Sequence, residues 1–142
     1  MIVGVGTDIA QVARFNAWLS FSREQLSKIF SDSELSECGF ARLSAHDQAQ
    51  KLAVRFAAKE AFFKALSAAL VQLGFTETTF SFLFLCKQVQ VIKQTWEIPQ
   101  LCVDWQAFER KIGKQLPKFT IHLSLAHERL HVVAFVVLVK EC

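Results

Sequence analysis

The chain has no tyrosine, although it carries 14 Phe and three Trp among its 142 residues. Its aromatic surface is almost purely apolar, which leaves no phenol to act as acid, base or nucleophile. Proline (two) and glycine (five) are scarce, excluding a low-complexity or collagen-like chain. The four cysteines, at 38, 86, 102 and 142, lack CxxC spacing, so reduced and mostly buried thiols are expected rather than a zinc ribbon or redox pair. His122, His127 and His131 mix strand and helix periods and stand far from any cysteine, so they do not read as a zinc trio. No Lys/Arg run and no basic ladder interleaved with aromatics accompanies the net charge of +3, so nucleic acid is not an expected partner. Gly4 and Gly6 have no third glycine at GxGxxG spacing, which removes the dinucleotide fingerprint. The longest apolar run, Val132–Val139, is eight residues, too short for a bilayer. The opening MIVGVGTD has no basic n-region. Neither a membrane span nor a signal peptide is expected, and the expected location is cytoplasmic.

What is present suits a packed core: 52% hydrophobic and 20% charged residues. The length predicts a single domain over residues 1–142. The order of patterns predicts an α+β fold, a small antiparallel sheet packed on one long helix plus short helices. Ile2–Thr7 predicts a strand in which Gly4 and Gly6 admit a close neighbour. Asp8 reads as an N-cap for a helix over Ile9–Leu19. Ser22–Gln25 and Ser31–Glu34 are capping boxes, predicting helices to about Phe30 and over Leu35–Cys38, the second ended by Gly39. Ser44 or Asp47 caps a long helix over Asp47–Leu73, with Gly74 past its end. Thr76–Val91 is rich in Phe, Thr and Val, and Phe80–Cys86 and Gln88–Ile92 read as strands. Pro99 marks a turn, Leu101–Val103 a short strand and Trp105–Leu116 a helix closed by Pro117. Phe119–Leu125 and Val132–Val139 read as the final antiparallel strands, the second apolar on both faces and so expected to be buried on both.

The long helix carries an apolar stripe through Leu52, Phe56, Phe63, Leu66 and Leu70. Glu60 and Lys64 lie at i and i+4 in its midst. Either they form a surface ion pair, worth about 0.2–0.5 kcal/mol, or Glu60 is a metal-ligating carboxylate one turn from a Lys of adjusted pKa. Asp8, Glu60 and Lys64, Ser124 and His127 supply two carboxylates, an amine and an imidazole where burial is costly without partners. Two carboxylates from different elements suit Mg²⁺, which keeps waters and substrate phosphates as its other ligands. Arg14, Arg55 and Lys59 could hold phosphate oxygens. Metal-assisted phosphoryl-type transfer is the reaction class these groups support.

The order of motifs resembles the holo-[acyl-carrier-protein] synthase family, the small bacterial 4′-phosphopantetheinyl transferases. Its G-x-G-x-D-I opening with a later Arg is matched by Gly4, Gly6, Asp8, Ile9 and Arg14. Its aromatic–Ser/Thr–acidic–Glu segment resembles Phe30–Glu34, and R-F-A-A-K-E-A-x-x-K-A is matched by Arg55–Ala65. Its S-x-S-H before an apolar strand resembles Ser124–His127 and Val132–Val139. The resemblance implies the 4′-phosphopantetheinyl transferase fold. It also implies transfer of 4′-phosphopantetheine from coenzyme A to a Ser of apo acyl carrier protein, with release of 3′,5′-ADP, in support of fatty acid biosynthesis. Asp8 and Glu60 are then expected to ligate Mg²⁺, with Lys64 near the attacking hydroxyl as base or electrostatic aid. Lys59 and Arg55 face phosphates, or Arg55 is a structural ion-pair partner. Ser124 and His127 meet the nucleotide end of CoA, and Arg14 meets the carrier. The family is trimeric, with CoA between protomers. A non-catalytic trimeric relative that binds the carrier is the alternative. The chain departs from the family at G-K-P, where it has Glu97-Ile98-Pro99, at the second Ser, which is Ala126, and at His131, where the family tends to have an aromatic.

Overall fold

The first strand runs further than its sequence suggests. In the computed structural model, which describes residues 1–39, 42–76, 79–93 and 95–142, β1 spans Ile2–Gln11. Asp8 therefore lies inside a strand, paired with Ala134, and caps no helix. The helix expected over Ile9–Leu19 is replaced by the end of β1 and two 3₁₀ turns, Val12–Phe15 and Ala17–Ser20. Val12 and Phe15 are buried at the i, i+3 spacing that a short 3₁₀ segment shares with an α-helix, so the apolar period misled.

Both capping boxes are present as expected: Ser22 and Gln25 open the single turn α1 (Arg23–Leu26), and Ser31 and Glu34 open α2 (Asp32–Cys38). Ser44, not Asp47, caps α3 (Ala45–Gln72), its side chain accepting from the Asp47 N–H. The segment expected as a strand over Phe80–Cys86 is instead α4 (Phe82–Gln88), because Ser81 caps it through the Phe84 N–H. Its Phe alternation serves helical packing: Phe80 and Phe84 clasp Phe108, while Phe82 meets Phe56 and Phe63. Positions 77 and 78 of the Phe- and Thr-rich stretch lie outside the described residues.

β2 (Val89–Lys93) and β3 (Pro99–Val103) form a separate hairpin. Pro99 opens β3 rather than marking the turn, as a strand's first residue can. Gly113, in the left-handed region, closes α5 (Trp105–Ile112) short of Leu116. β4 (Phe119–His127) and β5 (His131–Lys140) complete a three-stranded antiparallel sheet in the order β1-β5-β4.

α3 lies along one face of that sheet and supplies more of the buried core than any other element. Gly4 and Gly6 make the approach possible. A Cβ on Gly6 would overlap the Ala61 carbonyl oxygen and lie 2.7 Å from the Ala65 nitrogen, and one on Gly4 would overlap the Ala65 carbonyl oxygen. Val132, Ala134, Val136 and Leu138 are fully buried beneath the helix. The opposite face of β5 is open in the single chain, with Val133 39% and Phe135 44% exposed, contrary to the expected burial of both faces. The thiols divide: Cys38 and Cys86 are buried, while Cys102 and Cys142 are exposed. Burial pushes Cys38 up to about 11 and Cys86 to about 12, so these two are inert thiols.

Candidate active site

Residues 4, 6 and 8 of β1 share a face, and it is the face that meets α3, while a bulge between Ile2 and Gly4 turns Val3 inward and leaves Ile2 exposed. The helix runs against the strand, Ala65 over Gly4 and Ala61 over Gly6. That register carries the turn holding Glu60 and Lys64 past Asp8. Lys64 Nζ donates to the Asp8 carboxylate at 3.0 Å and to the Thr7 carbonyl at 2.9 Å. It makes no bond to Glu60, so the i, i+4 ion pair is not formed. Among the described residues the Glu60 carboxylate has no hydrogen-bond partner. Burial, and then the Asp8 charge, push Glu60 above the usual carboxylate range, while Lys64 and Arg14 pull it back. Arg14 is exposed on the first 3₁₀ turn. Its guanidinium lies 5.1 Å from the Phe56 ring centre and 5.6 Å from that of Phe15, so it is held on the same side as Glu60.

Glu60 thus lies in the field of the Asp8 carboxylate with no hydrogen-bond partner of its own among the described residues. That donor set fits a divalent cation of the Mg²⁺ kind, which needs only one or two protein oxygens. No group of three or more His, Cys, Asp or Glu that could hold a metal occurs among the described residues.

Lys59 does not stand beside them. It is completely buried, and its ammonium donates to the Ile29 carbonyl at 2.6 Å, Glu34 Oε1 at 2.7 Å and the Cys86 carbonyl at 3.1 Å. Its three protons are used, so the expectation that Lys59 faces a phosphate is corrected: it ties α2, α3 and α4 together. Glu34, read in the sequence as a capping-box residue and as the last residue of the Phe30–Glu34 segment, is the centre of this network. It accepts from its own cap, from Lys59 and from the Val91 N–H. Removing one partner of a buried pair strands the other. Lys59→Met is expected to cost about 3 kcal/mol in a urea melt, whereas a phosphate-binding Lys would cost activity and little stability.

Arg55 is also buried, paired with Glu37 and with the Lys51 carbonyl, while its Nε–H has no partner. It lines a cleft with His127, Lys51 and Lys93. Ser124 and His127 are not brought together. Ser124 stands opposite the exposed Phe135 and shares its outer face, whereas His127 stands opposite the buried Val132, on the α3 side. Within one chain they cannot grip one nucleotide end as a pair. Lys51 and Lys93 went unnoticed in sequence. The first lies one turn before Arg55, a signal that was there to be read. The second is placed only by the hairpin register, opposite Pro99.

The chain matches the family model described as the 4′-phosphopantetheinyl transferase superfamily over residues 4–128. It is 38% identical over 140 residues to the holo-[acyl-carrier-protein] synthase of Vibrio cholerae, covering 97% of this chain and 98% of that one. It is 31% identical over 138 residues to that of Oceanobacillus iheyensis, covering 97% of each. The holo-(acyl-carrier-protein) synthase of Bacillus anthracis, solved in complex with CoA (3′,5′-ADP), is similar at a TM-score of 0.69 and 26% identity over 99% of both chains. The Chronobacterium ammoniagenes ACPS–CoA complex, at 24% identity, a TM-score of 0.75 and 98% coverage of both, shares the fold.

Proposed function

The chain belongs to the 4′-phosphopantetheinyl transferase superfamily, and within it to the holo-[acyl-carrier-protein] synthases; on that premise we propose that it carries 4′-phosphopantetheine from coenzyme A to a Ser hydroxyl of an apo acyl carrier protein, releasing 3′,5′-ADP. The observation that carries the site assignment is the convergence of Asp8, Glu60 and Lys64 from two elements at the β1–α3 contact. The carrier's hydroxyl oxygen forms a bond to the β-phosphorus, and the bond from that phosphorus to the nucleotide's oxygen breaks. Asp8 and Glu60 would hold Mg²⁺, which when bound offsets the negative charge of the diphosphate. Lys64 donates two hydrogen bonds and is held by a carboxylate, an arrangement that supports an electrostatic role over that of a free amine base. It fixes Asp8 and presents positive charge beside the reacting phosphate, and the hydroxyl proton leaves through solvent. Arg14, exposed at the edge of this site, is the residue through which an acidic carrier surface is met.

Mixing the protein with CoA, Mg²⁺ and an apo carrier is expected to release 3′,5′-ADP, measured by chromatography, and EDTA is expected to stop it. Release without a carrier would indicate a hydrolase instead.

The outer sheet face supports the expected homotrimer. Val5, Ile9, Val133 and Phe135 are all exposed there, a contiguous apolar patch of the kind that marks an interface. Phe135→Glu is expected to convert a trimer to a monomer in analytical ultracentrifugation and, since CoA is expected between protomers, to lower CoA affinity. No helix among the described residues is long and apolar enough to cross a membrane.

A further inference from the structure

Along the outer face of β1 the side chains read Val5, Thr7 and Ile9, and Thr7 stands opposite Phe135 of β5. Val5, Ile9 and Phe135 are all exposed there, so the row is apolar except at position 7. A Val at that position would match Thr in shape and in strand preference. The chain instead carries a hydroxyl, from the only Ser or Thr of the strand. Its Oγ1 donates to the Ala134 carbonyl of β5 at 3.1 Å, and Ala134 is the register partner of Asp8. What the bond holds is the peptide between Thr7 and Asp8. β1 is an edge strand, paired only with β5. The Thr7 carbonyl accepts from Lys64 Nζ at 2.9 Å, and the same ammonium donates to Asp8 at 3.0 Å.

Lys64 therefore grips one short stretch of edge strand twice, at the Thr7 carbonyl and at the carboxylate that follows it. Two of its three protons are used, which leaves one for a phosphate oxygen. Its side chain is long and 49% exposed, so its placement is only as good as the backbone that receives it. Successive side chains of a strand point to opposite faces. Thr7 is thus the residue that can pin this backbone from behind while Asp8 faces the site. We infer that Thr7 is a positioning residue for the transfer: its hydroxyl ties the Thr7–Asp8 peptide to β5, and through that peptide it fixes Lys64 Nζ beside Asp8 and Glu60. The inference rests on the transferase assignment above. Because the Thr7 side chain itself faces away from Glu60 and Lys64, it acts on the rate of the bound complex and not on the affinity for either substrate.

The test compares Thr7→Val and Thr7→Ser with the parent chain by two readouts. One is kcat and KM for transfer from CoA to an apo carrier. The other, made without substrates, is the rate at which acetic anhydride acetylates Lys64, read by peptide mass. Thr7→Val keeps the branched shape on an exposed strand face and removes only the hydroxyl, so folding is not endangered. It is expected to lower kcat about fivefold, the worth of one hydrogen bond, with both KM values unchanged. Lys64 is expected to acetylate severalfold faster in that variant. Thr7→Ser keeps the donor and is expected to match the parent in both readouts. Unchanged acetylation of Lys64 in Thr7→Val overturns the inference, as does a loss that Thr7→Ser shares or one that shows as a rise in KM. A parent chain that transfers nothing contradicts the transferase assignment, whereas parent-like kcat in Thr7→Val contradicts only the role of Thr7.

Discussion

Glu60→Gln is expected to lose about a thousandfold or more in transfer rate while melting no earlier than the parent chain. The loss follows from removing one of two carboxylates at the site of charge development, where a single preorganised group commonly carries a hundred- to a thousandfold. The melting behaviour follows from linkage. Burial and the Asp8 charge raise Glu60 in the folded chain above its value in the unfolded chain. Between those two values the unfolded state binds fewer protons than the folded one, so stability falls as pH rises through that window and stays lowered above it. At neutral pH the ionised Glu60 is therefore a charge the fold carries at a cost, and the isosteric amide removes it. The same shift predicts that Glu60 of the metal-free chain takes up a proton at a pH above its ordinary value. Had Glu60 been the surface partner of Lys64, the substitution would cost a few tenths of a kcal/mol and leave transfer intact. Lys64 is already committed to Asp8 and Thr7. Enzyme assays and a thermal melt on one variant separate the two roles.

Gly6→Ala is expected to leave little folded protein at 25 °C. The added methyl overlaps the Ala61 carbonyl oxygen and crowds the Ala65 nitrogen, and both are backbone atoms of a 28-residue helix that cannot step aside singly. Relief requires β1 and α3 to separate. That opens the contact on which Ala61, Ala65 and Val136 are wholly buried, and breaks the register that sets Asp8 beside Glu60 and Lys64. The cost is on the order of 5 kcal/mol, comparable with the total stability of a domain this size. A soluble, cooperatively melting Gly6→Ala chain would show that the close approach is not required. Gly74, whose added Cβ meets nothing, is the control for handling a glycine variant, although its φ of 85° disfavours any side chain.

The parts of the molecule that could be read from sequence are those whose cause is local. Capping boxes at Ser22 and Ser31 announce helix starts because the capping groups lie three residues apart. Gly4 and Gly6 announce a close neighbour because nothing else explains two missing side chains in a strand, although only the structure identifies that neighbour as helix backbone. The Arg55–Ala65 segment placed Glu60 and Lys64 correctly on one helix, but the face occupied by Lys59 depends on Glu34, twenty-five positions away in the chain. Phe80–Cys86 failed because a Phe at every second position mimics a strand when its partners lie on two other helices, α3 and α5. Ser124 and His127, three residues apart, fall on opposite faces of β4 because a strand alternates. A sequence motif gives their spacing and not their sides. Lys93 lies outside any motif, and its place follows from pairing with Pro99.

The central claim is that Asp8, Glu60 and Lys64 serve transfer of phosphopantetheine to a carrier. Its most direct test is the intact mass of an apo acyl carrier protein after incubation with this chain, CoA and Mg²⁺. The carrier is expected to gain the mass of one phosphopantetheine with the parent chain and none with Glu60→Gln. A carrier of unchanged mass, in a preparation that a competent synthase modifies in parallel, would contradict the account, as would full modification by Glu60→Gln.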